Sequence, residues 1–135
     1  MAGRRCVLVV DDDDSIREIA QVTLEAMGGW QVHTASSGLE AVEHALRKQP
    51  DAVLLDVAMP GLDGPSTVRQ LQADETTRRI PVLLLTARVQ PAERERFAAL
   101  PGVAGVISKP FDPMRLPGQV AALLGWADPA DRDGR

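Results

Sequence analysis

Apolar residues along this chain follow two rhythms. Residues 7–10, 52–55, 82–85 and 103–107 are short runs dominated by Val, Leu, Ile and Ala and bounded by turn or helix signals. Such runs fit strands buried on both faces, and residues 30–34 supply a further short strand. Between them the period lengthens to that of a helix. Ile16, Ile19, Ala20, Thr23, Leu24 and Met27 form a first stripe, opened by a Ser15-x-x-Glu18 capping box and stopped by Gly28-Gly29. Ser37-x-x-Glu40 opens a second, with Leu39, Val42, Ala45 and Leu46 inward and Pro50 after its end. After the turn signals Pro60-Gly61 and Asp63-Gly64, Pro65 starts a third helix with Val68 and Leu71 inward. Pro91 starts a fourth carrying Phe97 and Leu100, and Pro113 or Pro117 a fifth carrying Val120, Leu123 and Leu124. Strand and helix thus alternate five times, which predicts an α/β fold with a parallel sheet covered on both faces, since parallel strands need crossover connections.

Composition narrows the picture. The 135 residues suit one domain, with a core that needs no metal or disulfide staple. Acidic and basic residues are interspersed around a net charge of −4, and no basic block or aromatic-basic stripe points to nucleic acid or anionic lipid. The lone Cys6 has no disulfide partner and reads as a small, partly buried side chain in a reducing compartment. No apolar stretch reaches the ~18 residues of a membrane span, and the first residues lack a signal-peptide core. A cytoplasmic protein is expected. Residues 128–135 (DPADRDGR) carry charge, Pro and Gly without an apolar period, so a domain over residues 4–125 followed by a disordered tail over 126–135 is expected.

In a parallel sheet the carboxyl ends of the strands share one rim, and ligand chemistry collects there. Asp11 and Asp12 follow the first run, Asp56 the 52–55 run, Thr86 the 82–85 run and Lys109 the last. One rim would therefore hold three carboxylates, a hydroxyl and an ammonium that the sequence spreads widely.

The motifs VLVVDD (7–12), LLDVAMPGLDG (54–64), LLLTA (83–87) and SKPF (108–111), in this order and spacing, resemble the receiver domain of two-component response regulators, the CheY-like family. Each motif is weak alone; together they are specific and cover nearly the whole chain. The resemblance implies a flavodoxin-like sheet of order 2-1-3-4-5 and a stand-alone phosphoacceptor in a phosphorelay. It implies that Asp56 accepts a phosphoryl group from a sensor histidine kinase or histidine phosphotransfer protein, the aspartyl phosphate forming and decaying by the domain's own chemistry. A carboxylate suits that role because it is already ionised at neutral pH. The resemblance assigns Mg²⁺ (or Mn²⁺) to Asp12, Asp56 and the backbone carbonyl of Ala58, with Asp11 reaching it through water. It places Lys109 and the Thr86 hydroxyl at the phosphoryl oxygens, with Ala87 leaving room, and implies a cis Lys109-Pro110 peptide. Signalling would pass to an unidentified downstream protein through the fourth helix, last strand and last helix.

Blander readings stand beside these. Asp13 and Asp14 are better explained as helix caps, and His33 and His44 lack metal-ligand spacing and read as surface residues. Arg78-Arg79 read as solvated turn charges. The MPG turn (59–61) and Asp63-Gly64 are loop punctuation that fits the loop after the acceptor. The pattern departs from the family at Val106, three residues before Lys109, where receivers commonly carry Tyr or Phe; the chain has no Tyr. Without that ring, transmission is expected through the loop from Thr86 to Val89 and the fourth helix. Ala58 and Arg88, each two beyond a site residue, fall at the pocket mouth, where they tune attack by water. Two other functions compete. Asp11-x-Asp13-x-Ser15 loosely matches the signature of haloacid-dehalogenase-like phosphatases, although only Asp112 follows Lys109 where that family needs an acidic pair. A receiver-like interaction module that is never phosphorylated is the other.

Overall fold

A computed structural model describes residues 4–87, 90–127 and 129. Five strands and five helices alternate: β1 (Cys6–Val10), α1 (Asp14–Ala26), β2 (Gln31–Ala35), α2 (Gly38–Lys48), β3 (Ala52–Asp56), α3 (Gly64–Ala73), β4 (Val82–Thr86), α4 (Pro91–Ala98), β5 (Val103–Ser108) and α5 (Leu116–Leu124). The strands form one parallel sheet of order β2-β1-β3-β4-β5. Every residue of β3 and β4 is buried, and side chains alternate between two cores. Val7, Val9, Leu54, Leu83, Leu85 and Ile107 pack with residues of α1 and α5. Leu8, Val10, Val53, Leu55, Val82 and Leu84 pack with those of α2 and α3, with Phe97 of α4 at the margin. The expected doubly covered sheet and its strand order are thus the observed ones.

Helix faces and starts needed correction in detail. α1 is capped by Asp13, whose carboxylate accepts from the backbone N–H groups of Ser15 and Ile16, so the expected Ser15-Glu18 box is not the cap. Ala20, Thr23 and Leu24 are buried as expected, whereas Ile19 and Met27 are exposed. α2 does start at Ser37, whose Oγ accepts from Glu40 N, while the Glu40 carboxylate reaches back to Ser36 N. Ala45 is buried and Val42 packs against the core as expected, but Gly38 and Ala41 complete the inner face while Leu39 and Leu46 face solvent. The reason is steric. A Cβ on Gly38 would lie 2.4 Å from Thr67 Oγ1 and 2.6 Å from the Leu62 carbonyl, so α2 approaches the α3 region too closely for leucines. Asp63 caps α3, with Pro65 in its first turn and Val68 and Leu71 buried. Pro117, rather than Pro113, lies in the first turn of α5.

Trp126, the first residue of the expected tail, packs against the core. Trp126 meets Trp30 edge-to-face at 5.2 Å between ring centroids, and the Arg5 guanidinium lies 4.5 Å over its ring. Edge-to-face packing and a cation over the ring fix this indole to the core. The remainder of that tail, Ala127 and Pro129 apart, falls outside the described residues, as do Arg88 and Val89.

Candidate functional site

β1, β3, β4 and β5 deliver their last residues to one rim. Asp11 follows β1 and is 1 % exposed, Asp56 ends β3 at 4 %, and Thr86 ends β4 at 2 %. The Lys109 ammonium bridges the two buried carboxylates, 3.3 Å from Asp11 Oδ2 and 3.3 Å from Asp56 Oδ1. Asp12, on the exposed side, brings a third carboxylate, and oxygens of Asp11, Asp12 and Asp56 lie within 4.8 Å of one another. These groups line a cleft of about 320 Å³ with Asp13, Ile16, Val57, Ala58 and Ala87. The residues expected at the rim are all brought together there.

Local backbone chemistry explains why the cleft holds its shape. Asp11 Oδ1 accepts from Asp13 N at 2.9 Å, so the turn out of β1 is folded around the carboxylate it presents. Arg17 of α1 donates to the Asp11 carbonyl at 2.8 Å and also pairs with Asp14. After β3, Val57 N donates to the Leu85 carbonyl and Gly64 N to the Val57 carbonyl, pinning both ends of the loop that carries Ala58. Gly64 is required by close approach: a Cβ there would lie 2.8 Å from the Asp56 carbonyl oxygen and 2.8 Å from Val57 Cα. Lys109 N donates to the Thr86 carbonyl, which fixes the lysine's strand against β4. The Lys109-Pro110 peptide is cis.

Charge in the cleft is unevenly balanced. Burial, and then the neighbouring Asp11 carboxylate, push the Asp56 carboxyl above its ordinary range, against the pull of Lys109 and an Ala58 N–H bond. For Lys109 burial works downward, but the carboxylates of Asp56 and Asp11 prevail and hold the ammonium above its usual value. Three carboxylates against one lysine make a site that welcomes a further cation. Its oxygen-only donors fit a hard divalent ion better than a thiophilic one.

Outside the rim the expectations fare unevenly: the cap at Asp13 and the solvated Arg78 and Arg79 are observed, the free surface histidines are not. The Asp13 carboxylate caps α1, so the second acid of the Asp11-x-Asp13 pattern is engaged by backbone. His33 and His44 are not free surface residues: their rings lie 4.9 Å apart, and His44 Nε2 is buried without a hydrogen-bond partner among the described residues. Arg78 and Arg79 are exposed, and Arg78 donates to the Gln72 carbonyl. Val106 is 8 % exposed in β5. Arg88 lies outside the described residues. Sequence reasoning missed Arg17, whose only signal is its place in the first turn after an acidic run, and Arg94 of α4, which reaches β5 across the gap beside Val106.

Comparison with known proteins agrees with this geometry. Residues 7–121 match the model of the response regulator receiver domain. The response regulator MprA of Mycobacterium leprae is 40% identical over 126 residues, 93% of this chain and 53% of that protein. The DNA-binding dual master transcriptional regulator RpaA of Synechocystis sp. is 36% identical over 123 residues, 90% of this chain and 50% of that protein. The chain thus spans about half the length of these curated relatives. Among solved structures, the chemotaxis response regulator CheY4 of Vibrio cholerae superposes with a TM-score of 0.83 at 31% identity, covering 90% of this chain and 99% of that one. A response regulator structure from Chloroflexus aurantiacus gives 0.81 at 32% identity, covering 91% and 99%. The haloacid-dehalogenase alternative gains no support from any of these likenesses, and Asp13's engagement at the helix cap removes the second acid on which it rested. With its rim of aspartates and lysine on a β2-β1-β3-β4-β5 sheet, the chain belongs to the response regulator receiver domain family, whose business is phosphorelay signalling.

Proposed function

We propose that the chain is a phosphoacceptor that takes a phosphoryl group on Asp56 from a phosphohistidine of a sensor kinase or phosphotransfer protein. The observation that carries this reading is the buried Asp56 carboxylate beside the Lys109 ammonium at 3.3 Å, on the rim where Thr86 ends the next strand. An Asp56 oxygen attacks phosphorus, the P–N bond to imidazole breaks, and an acyl phosphate forms. Lys109 remains beside the transferred oxygens, and the Thr86 hydroxyl donates to one of them. Decay follows by attack of water on phosphorus, returning the carboxylate and inorganic phosphate. Mg²⁺ or Mn²⁺, held by Asp12, Asp56 and the Ala58 carbonyl with Asp11 through water, would supply positive charge between carboxylates and phosphoryl oxygens.

The α4, β5 and α5 face carries the signal to a partner protein, and the setting is cytoplasmic. None of the described helices is long and apolar enough to cross a membrane. The deciding experiment is exposure to acetyl phosphate with and without Mg²⁺, followed by intact mass, beside Asp56→Asn. Gain of one phosphoryl group that needs the cation and disappears in the variant supports the reading. Absence of any gain in the natural sequence would favour a non-phosphorylated interaction module, and a gain that survives in the variant would move the acceptor to another residue.

A further inference from the structure

α4 is the helix least secured by its own sequence. It buries no residue completely, and Gln90 provides no side-chain cap to its first turn. Its sequence PAERERFA offers Phe97 as its one partly buried contact with the core. Arg94 crosses from it to the sheet. The Arg94 guanidinium donates to Ser108 Oγ at 2.8 Å and to the Val106 carbonyl at 3.0 Å. β5 is an edge strand, so carbonyls on its outer side have no ladder partner, and this guanidinium satisfies one of them. Donors in a planar fork are suited to holding two acceptors in fixed geometry.

The contact reaches the acceptor site by a short route. Ser108 is paired in register with Thr86, and residues on one rung of a parallel pair project to the same face. Lys109, next in the chain, is tied through its N–H to the Thr86 carbonyl. Arg94 therefore grips the rung that carries Thr86 and the residue before Lys109. It lines, with Val106, Phe111, Arg115 and Leu123, a groove of about 510 Å³ between α4 and α5. Since the side chain at 106 is only a valine, the guanidinium reaches the Val106 carbonyl without having to displace a ring.

We propose that Arg94 is a positioning residue for the phosphoryl chemistry: by clamping Ser108 and the Val106 carbonyl it holds the Thr86 rung and α4 in the resting arrangement. The inference rests on Asp56 phosphorylation. A phosphoryl group on Asp56 draws Thr86 toward it, the rung shifts, and the two arginine contacts are exchanged for solvent. α4 then moves with the rung's shift, because the guanidinium had coupled the helix to it. Clamp and phosphoryl group favour opposite states of one equilibrium, so loosening the clamp raises the population of the state that accepts the phosphoryl group, and labelling from that state quickens with its population.

The test compares the natural sequence with Arg94→Met, Arg94→Lys, Ser108→Ala and the Met/Ala double variant. Two readouts are taken: the rate of Asp56 labelling by acetyl phosphate with Mg²⁺, and amide exchange of α4 without phosphodonor. Arg94→Met is expected to label about three- to tenfold faster, the factor that loss of one or two net hydrogen bonds allows, and to exchange faster in α4. Ser108→Ala should give part of the effect, Arg94→Lys should restore part of it, and the double variant should not exceed Arg94→Met. A purely structural arginine would change exchange and leave labelling untouched, which would overturn the proposal, as would slower labelling or unchanged α4 exchange. If the natural sequence itself is not labelled, the phosphoacceptor reading fails first and this inference falls with it. Labelling that proceeds at the same rate in every variant rejects this inference alone.

Discussion

Two residues show how far a single side chain's surroundings set its behaviour. Asp56 is raised above the ordinary carboxyl range by burial and by Asp11, so its ionised form strains the metal-free protein. A carboxyl whose folded value exceeds its unfolded value opposes folding at neutral pH, and that opposition fades as pH falls through the folded value. Asp56→Asn is therefore expected to raise the denaturation midpoint at pH 7 in EDTA, with the advantage shrinking on addition of Mg²⁺. An unchanged midpoint in EDTA would show that Lys109 already neutralises the pair. His44 has the complementary sign. Burial, followed by the charges of His33, Arg47 and Lys48, depresses it below the ordinary 6.5, and Glu40 only partly offsets this. The unfolded chain then binds the proton more readily, so stability is fully present above 6.5 and is lost as pH falls below it. Replacement by Leu should flatten that decline in denaturant titrations between neutral and mildly acid pH, whereas a decline of the same slope would assign it to other groups.

At the scale of elements, packing between α2 and α3 makes the sharpest demand. Gly38→Ala places a methyl against Thr67 Oγ1 and the Leu62 carbonyl, one of them backbone, so relief requires the helices to part. A loss of about 1–3 kcal/mol is expected from overpacking, read by chemical denaturation; a neutral result would mean that α2 shifts freely. That same contact explains what the sequence could and could not reveal. The strands were legible because β3 and β4 are buried on both faces and read as unbroken apolar runs. The rim residues were legible because each follows such a run. The inner face of α2 was not, since a stripe of small residues fixed by a partner helix carries no hydrophobic signal of its own, and Leu39 and Leu46 supplied a misleading one. The capping residue of α1 was narrowed by the sequence to Asp13 or Asp14 beside a competing Ser15 box, and geometry selects Asp13. Arg94 was invisible because its meaning lies in the edge carbonyl it meets on another element.

Taken whole, the molecule has two unlike poles. The carboxyl ends of the strands gather the acidic cleft, while Arg5, Trp30 and Trp126 meet where β1 and β2 begin. Trp126→Ala is expected to lower stability by roughly 2 kcal/mol, combining an aromatic pair with a cation over the ring. Labelling of Asp56 by acetyl phosphate should be unaffected, because the indole lies at the far end of the sheet. A variant that lost labelling while remaining folded at the assay temperature would tie the two poles together. The stacked triplet also brings residues 5 and 126 side by side although most of the sequence separates them. In topological terms the described chain is nearly a ring clasped at one pole, and the segments lining the cleft are spans with footings on both sides. Joining residues 5 and 126 through a short flexible linker and opening the ring after α2, at residues 49–51, should therefore give a circular permutant that still gathers Asp11, Asp56 and Lys109.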